Sequence, residues 1–259
     1  MSEAANGSRR FVLLGDPVGG SRSPAIHQAA FETAGIDGHY QARRVDLAGL
    51  GAAIGEIRSG AIDGANITMP YKSITAGLVD ELDEDARRAG AVNTIVPVHD
   101  RLMGRNTDVV ALRWALASSV GTVLILGAGG AAKAAAVAAA GRDTIVSARR
   151  PAAAEAMAVR FGLDTVAWGD PVEGAIVINA TPLGMAGETL PPEVVDGARC
   201  LLDLAYGVEP TPAVAEALRR SLPVVDGIDL LVAQAAAAFT IWTGVAAPFE
   251  AMMRAARPA

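Results

Sequence analysis

The stretch Thr122-Val-Leu-Ile-Leu-Gly-Ala-Gly-Gly-Ala-Ala132 decides the fold of this chain. An apolar run of β-favouring residues leads directly into a glycine turn, and an alanine-rich segment typical of a helix follows. The spacing G-x-G-x-x-A is that of a dinucleotide-binding turn between a strand and a helix. Gly127 permits the tight turn, Gly129 lets the backbone approach a pyrophosphate, and Ala132 keeps the helix close to the strand. The same pattern also fits an ordinary turn of an α/β domain.

If the turn binds a dinucleotide, its backbone N–H groups at the helix N-terminus face the phosphates. The cofactor contacts predicted from this turn are Gly127, Ala128, Gly129, Gly130 and Ala131.

The composition describes a chain that can bury a large core and is acidic overall. Its 259 residues are 51% hydrophobic and 19% charged, and its net charge is −6. Such a charge balance argues against nucleic acid or an anionic membrane as the main partner. No heptad run stands out, so a monomer and a homodimer both stay open as expectations.

Cysteine and histidine usage predicts neither disulfides nor metal. Cys200 is the only cysteine and opens an apolar run, so we expect a buried, inert thiol rather than a nucleophile. His27, His39 and His99 are scattered and show no ligand spacing, so no metal site is predicted.

Two segments of the sequence are relevant to where in the cell the protein is expected. The first ten residues lack the apolar core of a signal peptide. The most apolar stretch, 230–247, is interrupted by Gln234 and predicts a buried helix rather than a membrane span. We therefore expect a cytoplasmic protein.

The order of the predicted elements indicates an α/β fold with two lobes. In the second half, strands are predicted over 122–126, 144–147, 175–179, 200–204 and 224–225, with helical segments between several of them. This alternation favours a parallel, doubly wound Rossmann sheet. In the first half, strands are predicted over 11–14, 40–45 and 64–68, helices over 25–34, 47–59 and 78–89, and a hairpin over 92–98 and 101–104.

A helix over 109–117 joins the two halves and contains the predicted domain boundary. We expect a substrate domain over 1–110, completed by C-terminal helices over 236–259, and a cofactor domain over 111–235, with a ligand-binding cleft between them.

The end of the second Rossmann strand favours NADP over NAD. Enzymes that bind NAD usually have an acidic residue there, which binds the ribose 2′-hydroxyl. This chain has Ser147-Ala-Arg-Arg150 instead. The planar guanidinium groups of Arg149 and Arg150 suit a 2′-phosphate. The same two residues would also fit a solvated basic turn.

Five further segments carry polar residues near predicted strand ends and turns. They are Ser21-Arg-Ser-Pro24, Asn66-Ile-Thr-Met-Pro-Tyr-Lys72, Gly90-Ala-Val-Asn-Thr94, Gly104-Arg-Asn-Thr-Asp108 and Asn179-Ala-Thr-Pro-Leu-Gly184. As an ordered set with the glycine turn, they resemble the shikimate dehydrogenase family, and the resemblance runs from Gly15 to Gly244. It implies reduction of 3-dehydroshikimate to shikimate with NADPH, on the route to chorismate and the aromatic amino acids.

The resemblance also implies a catalytic pair. Hydride addition to a ketone leaves a developing alkoxide, which needs a proton or a positive charge. Lys72 matches the catalytic lysine of the family and Asp108 matches its acidic partner, which would favour the charged form of the lysine. Without the resemblance, Lys72 would be a surface lysine after a proline turn, and Asp108 would be the N-cap of the next helix.

The other implied site residues follow the family pattern. Ser21 and Ser23 would hold the substrate carboxylate, and the amides of Asn66, Asn93 and Gln234 would bind ring hydroxyls. The remaining implied contacts are Thr68 and Tyr206 for the substrate, and Asn179, Thr181, Leu204 and Asp229 for the cofactor. His27 stands where the family often has a histidine, and we expect a structural role for it.

The chain departs from the family pattern at several positions. Gly20 replaces the usual histidine before Ser21, and the altered turn at Ser147-Ala-Arg149 predicts weaker selectivity for NADP. Asp229 stands where the family commonly has glycine, close to the nicotinamide. An added carboxylate there suggests an amino-substituted shikimate as substrate. The alternative, which we favour, is that Asp229 points away and caps the last helix.

Other functions stay open at this point. A quinate/shikimate or aminoshikimate dehydrogenase would need only one or two different polar contacts. A non-catalytic, NADP-binding sensor belongs to a different class, and the intact pair of Lys72 and Asp108 argues against it.

Overall fold

The computed structural model describes residues 8–207 and 210–257. Residues 1–7, part of the segment predicted not to be a signal peptide, lie outside the described residues, as does the end of the predicted helical region at 258–259. The chain forms two compact units. The first unit comprises Met1–Thr107 and Val232–Ala259, and the second unit comprises Asp108–Leu231.

The first unit is built on a mixed sheet. Its described elements are β1 (Arg9–Gly15), α1 (Ser23–Ala34), β2 (Gly38–Arg44), α2 (Leu47–Arg58), β3 (Gly64–Ile67), α3 (Lys72–Thr75), β4 (Glu81–Leu82), α4 (Glu84–Ala89), β5 (Thr94–Val98) and β6 (Arg101–Arg105), and near the C-terminus α11 (Phe249–Ala256). The strand order is β2-β1-β3-β5-β6-β4. β1 pairs in parallel with β2 and β3, whereas β5 pairs antiparallel with β3 and β6. The predicted hairpin is therefore confirmed.

The second unit is built on a parallel sheet. Its described elements are β7 (Val123–Leu126), α6 (Gly130–Ala138), β8 (Thr144–Ser147), α7 (Pro151–Phe161), β9 (Asp164–Thr165), β10 (Ala175–Asn179), α8 (Pro192–Asp196), β11 (Ala198–Asp203), α9 (Pro212–Arg219) and β12 (Val224–Val225). The strand order is β12-β11-β10-β7-β8-β9, with parallel pairing throughout. This is the doubly wound Rossmann order, with its switch point between β7 and β10. The predicted fold class is confirmed.

Two helices belong to both units. α5 (Thr107–Leu116) begins at the end of the first unit, and α10 (Gly227–Thr243) leaves the second unit at Leu231. α10 covers most of the predicted buried helix over 230–247. It ends before Gly244, whose φ of 70° lies in the left-handed region. Among the described residues, no helix is long and apolar enough to cross a membrane.

Local sequence explains why these elements form. All four residues of β7 are buried, as expected for a parallel strand covered on both faces. α2 begins at Asp46, whose carboxylate accepts from the backbone N–H of Gly49 at 2.7 Å. α1 ends at Gly35, the predicted C-cap, which has a left-handed φ of 65°.

The C-terminal part of the chain packs inside the first unit. The Trp242 indole N–H donates to the Ile95 carbonyl at 3.0 Å, and its ring stacks on Phe11 with centroids 4.7 Å apart. A Cβ on Gly64 would lie 2.5 Å from the same indole nitrogen, so the close packing requires glycine there. The Arg22 guanidinium donates to the Ala256 carbonyl at 2.6 Å, which ties the start of α1 to the end of α11.

The predicted helix over 78–89 is wrong in its first half. Glu81–Leu82 form the short strand β4, which pairs with β6, and helix α4 starts only at Glu84. Two donors explain the difference, because the N–H groups of Asp80 and Asp83 bond to carbonyls of β6, each at 3.0 Å. The Asp83 carboxylate also accepts from the Ala86 N–H at 2.8 Å and sets the start of the helix.

Candidate active site

The glycine turn has the geometry of a phosphate cradle. Gly127 directly follows β7, has a φ of 110°, and donates its N–H to the Ser147 carbonyl at 2.8 Å. A Cβ on Gly127 would lie 3.0 Å from the Ala180 carbonyl oxygen, whereas a Cβ on Gly129 would meet nothing within 4 Å. Ala132 is fully buried. The turn is therefore tight at its first glycine and open at its second, which leaves room for a pyrophosphate at the N-terminus of α6.

The end of β8 presents two cations. Arg149 and Arg150 are exposed and directly precede α7, which starts at Pro151. The Ser147 hydroxyl is turned inward and donates to the Ala167 carbonyl at 3.1 Å. Because a helix N-terminus also favours anions, this corner suits a phosphate group on a ribose. The residues present fit NADP.

Asn179 ends β10 at the switch point, and its side chain is fully bonded within the protein. Its amide nitrogen donates to the Leu183 carbonyl at 3.1 Å and to an Asp203 carboxylate oxygen at 2.7 Å. Its amide oxygen accepts from the Thr181 N–H at 3.1 Å and from the Thr181 hydroxyl at 2.6 Å. Two donors and two accepting positions exhaust the hydrogen-bonding capacity of a carboxamide. The side chain of Asn179 therefore shapes the 179–183 turn.

Asp203, a buried carboxylate at the end of β11, was not predicted from the sequence. Its side chain accepts from Asn179, from the Ala205 N–H at 3.0 Å and from the Thr211 hydroxyl at 2.5 Å. Burial raises the pKa of Asp203, and these hydrogen bonds oppose the rise. An acidic residue that directly follows the apolar run from Cys200 was the available signal. Leu204, which is partly buried, donates its N–H to the Asn179 carbonyl at 3.0 Å.

Asp229 lies in the first turn of α10 and forms a reciprocal cap. The Asp226 carboxylate accepts from the Asp229 N–H at 2.9 Å, and the Asp229 carboxylate accepts from the Asp226 N–H at 3.2 Å. This is a capping box with aspartate at its third helical position. The capping interpretation of Asp229 is confirmed, and a contact with the cofactor stays a prediction.

Three predicted substrate residues, the buried Asn66 and Asn93 and the partly buried Gln234, lie in one hydrogen-bonded network of the first unit. Asn66 and Asn93 are 4% and 2% exposed. The Asn66 amide nitrogen donates to the Asn93 carbonyl at 3.1 Å, and its amide oxygen accepts from the Tyr40 hydroxyl at 2.8 Å. Thr107 connects the rest, because it donates its N–H to the Asn93 amide oxygen at 2.7 Å and its hydroxyl to the Gln234 amide oxygen at 3.3 Å.

Tyr40 was not predicted as a site residue, because a residue so far from its partner Asn66 in the chain gives no local signal, and Thr107 was quoted only as part of a family segment. Thr94 was quoted only as part of a family segment, and its hydroxyl accepts from the Asn66 amide and donates to the Asn93 amide oxygen, each at 3.0 Å. These partners fix the amides of the network in defined orientations.

Lys72 lies beside this network. It opens α3, is partly buried, and accepts the Val92 N–H at its backbone carbonyl at 2.8 Å. Val92 precedes Asn93, so the backbone bond holds the start of α3 next to the amides. Thr68, which is partly buried, follows β3 and donates its N–H to the Leu14 carbonyl at 2.9 Å.

Ser21 and Ser23 are bonded to each other. The Ser21 hydroxyl donates to the Ser23 hydroxyl at 3.1 Å and accepts the Ser23 N–H at 3.2 Å. Ser23 begins α1 and is 4% exposed, whereas Ser21 is partly buried. The pair forms a compact hydroxyl site before the helix.

The predicted residues are shared between the units. Lys72 belongs to the first unit, while Asp108 is the first residue of the second unit and lies inside the first turn of α5 rather than at its N-cap. Tyr206 belongs to the second unit and is partly buried, whereas the six other predicted substrate residues belong to the first unit.

His27 lies in the apolar core of the first unit. It is fully buried, and its ring stacks on Tyr40 with centroids 4.3 Å apart. Burial lowers the pKa of His27 to about 3, because the charged imidazolium would lose its hydration in the core. The ring is therefore neutral at physiological pH and packs beneath the amide network, in line with its expected structural role. Cys200 is buried, and burial raises the pKa of its thiol, as an inert thiol requires.

Together, these features define a class of protein. A Rossmann sheet with a glycine turn and an arginine pair binds a phosphorylated dinucleotide, and a second α/β unit carries a lysine beside a buried amide network. Within the described residues, no group of three or more His, Cys, Asp or Glu side chains could hold a metal ion.

Comparisons with known proteins place the chain in one family. The model of the shikimate dehydrogenase substrate binding domain matches residues 13–95, and that of the shikimate 5'-dehydrogenase C-terminal domain matches residues 227–257. The chain is 38% identical to a shikimate dehydrogenase (NADP(+)) of Thermus thermophilus, over 96% of this chain and 98% of the relative. It is 36% identical to the Pyrococcus abyssi enzyme of the same name, over 94% of this chain and 96% of the relative.

Solved structures indicate the same family. The complex of a Thermus thermophilus shikimate 5-dehydrogenase with NADP(H) and shikimate superposes with a TM-score of 0.88 at 37% identity, covering 96% of this chain and 98% of that one. The chain belongs to the shikimate dehydrogenase family.

Proposed function

We propose that this chain catalyses the reversible, NADP-dependent reduction of 3-dehydroshikimate to shikimate, a step in the biosynthesis of chorismate and the aromatic amino acids. The observation that carries the proposal is the hydrogen-bonded network of Asn66, Asn93 and Gln234 beside Lys72. A polyhydroxylated acid needs polar groups held in fixed orientations, and the hydrogen bonds within the network hold these amides in place.

Each unit has its own role in this proposal. The substrate domain, 1–110 completed by 236–259, presents the amide network and the hydroxyl pair of Ser21 and Ser23 to the ring hydroxyls and carboxylate. The cofactor domain, 111–235, presents the open turn at Gly129 to the pyrophosphate and Arg149 and Arg150 to the 2′-phosphate. When bound, the reduced cofactor supplies the hydride for the substrate ketone.

The side chains of this protein supply the proton that the reaction needs. Lys72 donates a proton to the ketone oxygen as negative charge develops there, and in the reverse direction it accepts the proton from the hydroxyl. Asp108, the acidic partner that the family pattern implies, orients Lys72 for this transfer. The amides of the network hold the ring so that the reacting carbon faces one direction only.

The reciprocal cap at Asp226 and Asp229 bears on substrate choice. The proposed preference for an amino-substituted shikimate depended on a carboxylate free to attract a cation. The Asp229 carboxylate is engaged at the helix start, and the relatives are named shikimate dehydrogenases, so we propose shikimate itself as the substrate. A cytoplasmic protein, monomeric or homodimeric, completes the proposal as predicted from the sequence.

The test is a spectrophotometric assay of nicotinamide reduction with shikimate or quinate and with NADP or NAD. We expect turnover of shikimate with NADP. Lys72→Met removes the proton donor, and Lys72→Arg keeps the charge but cannot release a proton. Both variants should lose about a hundredfold or more in kcat, because general acid–base catalysis contributes at least that factor. Their affinity for NADP, measured by calorimetry, should stay unchanged.

The matched control is Arg88→Ala, which removes an exposed cation of α4 paired with Glu84 and should keep full activity. Preference for quinate would assign the sister activity instead. Binding of NADP without turnover of either acid would favour the sensor.

A further inference from the structure

Asp203 is the charged side chain of the second unit with the most complete burial among those the structure describes, at 0% exposure. It lies at the carboxyl end of β11, beside Asn179 at the end of β10, and the two residues are direct partners in the parallel register. Ligands of open α/β sheets bind at this edge. A buried carboxylate is costly unless it is well bonded, so its contacts show what it stabilises.

The contacts of Asp203 join three segments. One carboxylate oxygen accepts from the Asn179 amide at 2.7 Å and from the Ala205 N–H at 3.0 Å. The other oxygen accepts from the hydroxyl of Thr211, which also caps α9 by accepting the Val214 N–H at 3.2 Å. The carboxylate thereby connects the turn after β10, the loop after β11 and the start of α9.

Asn179 transmits this connection to the turn that follows it. Its other three hydrogen bonds go to Thr181 and Leu183, so Asp203 supplies the one partner of the carboxamide that lies outside the 179–183 turn. The Thr181 hydroxyl is also used up within the turn, since it donates to Asn179 and accepts the Leu183 N–H at 3.2 Å.

The turn after β10 and the loop after β11 both contact elements that we expect to bind the cofactor. The backbone of Ala180 is the nearest neighbour of the Cβ position of Gly127, at 3.0 Å, so this turn forms one wall of the glycine turn. The carbonyl oxygen of Ala205 is the nearest neighbour of the Cβ position of Gly227, so the loop after β11 packs directly on the first residue of α10. A shift of either segment would move the walls of the dinucleotide site.

We propose that Asp203 is a positioning residue for the cofactor: its buried carboxylate fixes the segments after β10 and β11 in the arrangement that receives the dinucleotide. It does not touch the reacting atoms and acts through Asn179 and Ala205. The inference rests on the proposed function only in taking NADP as the ligand.

The experiment measures the Kd of NADP by calorimetry without substrate, and then steady-state kinetics with shikimate. Asp203→Asn keeps the shape but turns an amide group toward Thr211, whose hydroxyl proton loses its acceptor. We expect the Kd and KM for NADP to rise about tenfold, the effect of one lost hydrogen bond to a charged group. The kcat at saturating NADP and the KM for shikimate should stay within about threefold of wild type.

Three further variants make the test specific. Thr211→Val should weaken NADP binding in the same direction, and Thr211→Ser, which keeps the hydroxyl, should restore it. Val194→Ala removes buried side-chain volume from the core of the same unit outside the network, so it should lower the melting temperature without changing the Kd. If Asp203→Asn does not fold, the pair of Thr211 variants decides.

The proposal is overturned if folded Asp203→Asn binds NADP like the wild type, or if Val194→Ala weakens binding equally. Wild-type protein that binds NADP but does not turn over shikimate would refute the proposed function and leave this test intact. Wild-type protein that binds no NADP would refute both.

Discussion

The proposed proton transfer depends on position 72 being lysine rather than arginine. The chain has 22 basic residues, and only Lys72 and Lys133 among them are lysines. Arginine stays protonated under all physiological conditions and cannot serve as a proton donor, whereas lysine can. A chain that uses arginine almost everywhere therefore has lysine at the one position where the proposed mechanism requires proton transfer.

His27 should give the folded protein a distinct pH dependence. The pKa of His27 lies near 3 in the folded state, against about 6.5 in an unfolded chain. Between these values the unfolded chain binds a proton at His27 and the folded protein does not. The free energy of unfolding therefore rises with pH in this window, by up to about 1.4 kcal/mol per pH unit, and His27 adds nothing above it.

His27→Phe keeps a flat ring against Tyr40 and should remove this contribution, as measured by urea denaturation across the window. The exposed His39 provides the control, and His39→Gln should keep the wild-type slope. An unchanged slope in His27→Phe would show that His27 is not the source.

Arg149 should discriminate between the two nicotinamide cofactors. If its guanidinium binds the 2′-phosphate, Arg149→Ala should raise the KM for NADP by about tenfold to a hundredfold and leave the KM for NAD unchanged. Arg160→Ala, at the exposed far end of α7, is the control and should alter neither value. Equal loss for both cofactors would place Arg149 elsewhere than at the 2′-phosphate.

At the scale of elements, the start of α10 depends on close backbone packing. Gly227 is the first residue of this helix, and its φ is ordinary, so its glycine is required for space rather than for backbone conformation. Asp226 and Asp229 cap the same end of the helix. The start of α10 is thus fixed by the local cap of Asp226 and Asp229 and by the contact of Gly227 with Ala205, which only the fold creates.

Gly227→Ala should destabilise the protein by about 1–3 kcal/mol, because the added methyl group meets the Ala205 carbonyl and the backbone must shift. Gly51→Ala is the matched control inside α2, where a Cβ meets nothing within 4 Å. It should stabilise by about 0.5–1 kcal/mol, since alanine loses less conformational freedom. Thermal unfolding measures both, and a loss of stability in Gly51→Ala would contradict this packing argument.

Most elements were predicted because their signals are local. Buried strands such as β7 are short apolar runs, and the glycine C-cap of α1 marks where this helix ends. The error over 78–89 has a non-local cause, since β4 exists only because Asp80 and Asp83 find carbonyls of β6. Hydrophobic periodicity cannot reveal a two-residue strand whose partner lies about twenty positions away.

At the scale of the whole molecule, the two units should respond to different ligands. Hydrogen exchange followed by mass spectrometry would show this. NADP alone should protect amides of 127–133 and 179–183 in the second unit, and shikimate alone should protect amides of 66–72 and 93–94 in the first unit. Protection by NADP confined to the first unit would contradict the assignment of the units.

The sequence by itself determined the Rossmann unit, the cofactor class and the family, because a glycine turn between a strand and a helix, an arginine pair and an ordered set of short motifs are all local patterns. Only the tertiary structure decided how polar residues far apart in the chain are paired. Gln234 meets Thr107 across 127 positions, and Asp203 gains its role from Asn179 and Thr211. Buried polar groups must find partners wherever the fold brings them, and no local pattern records that choice.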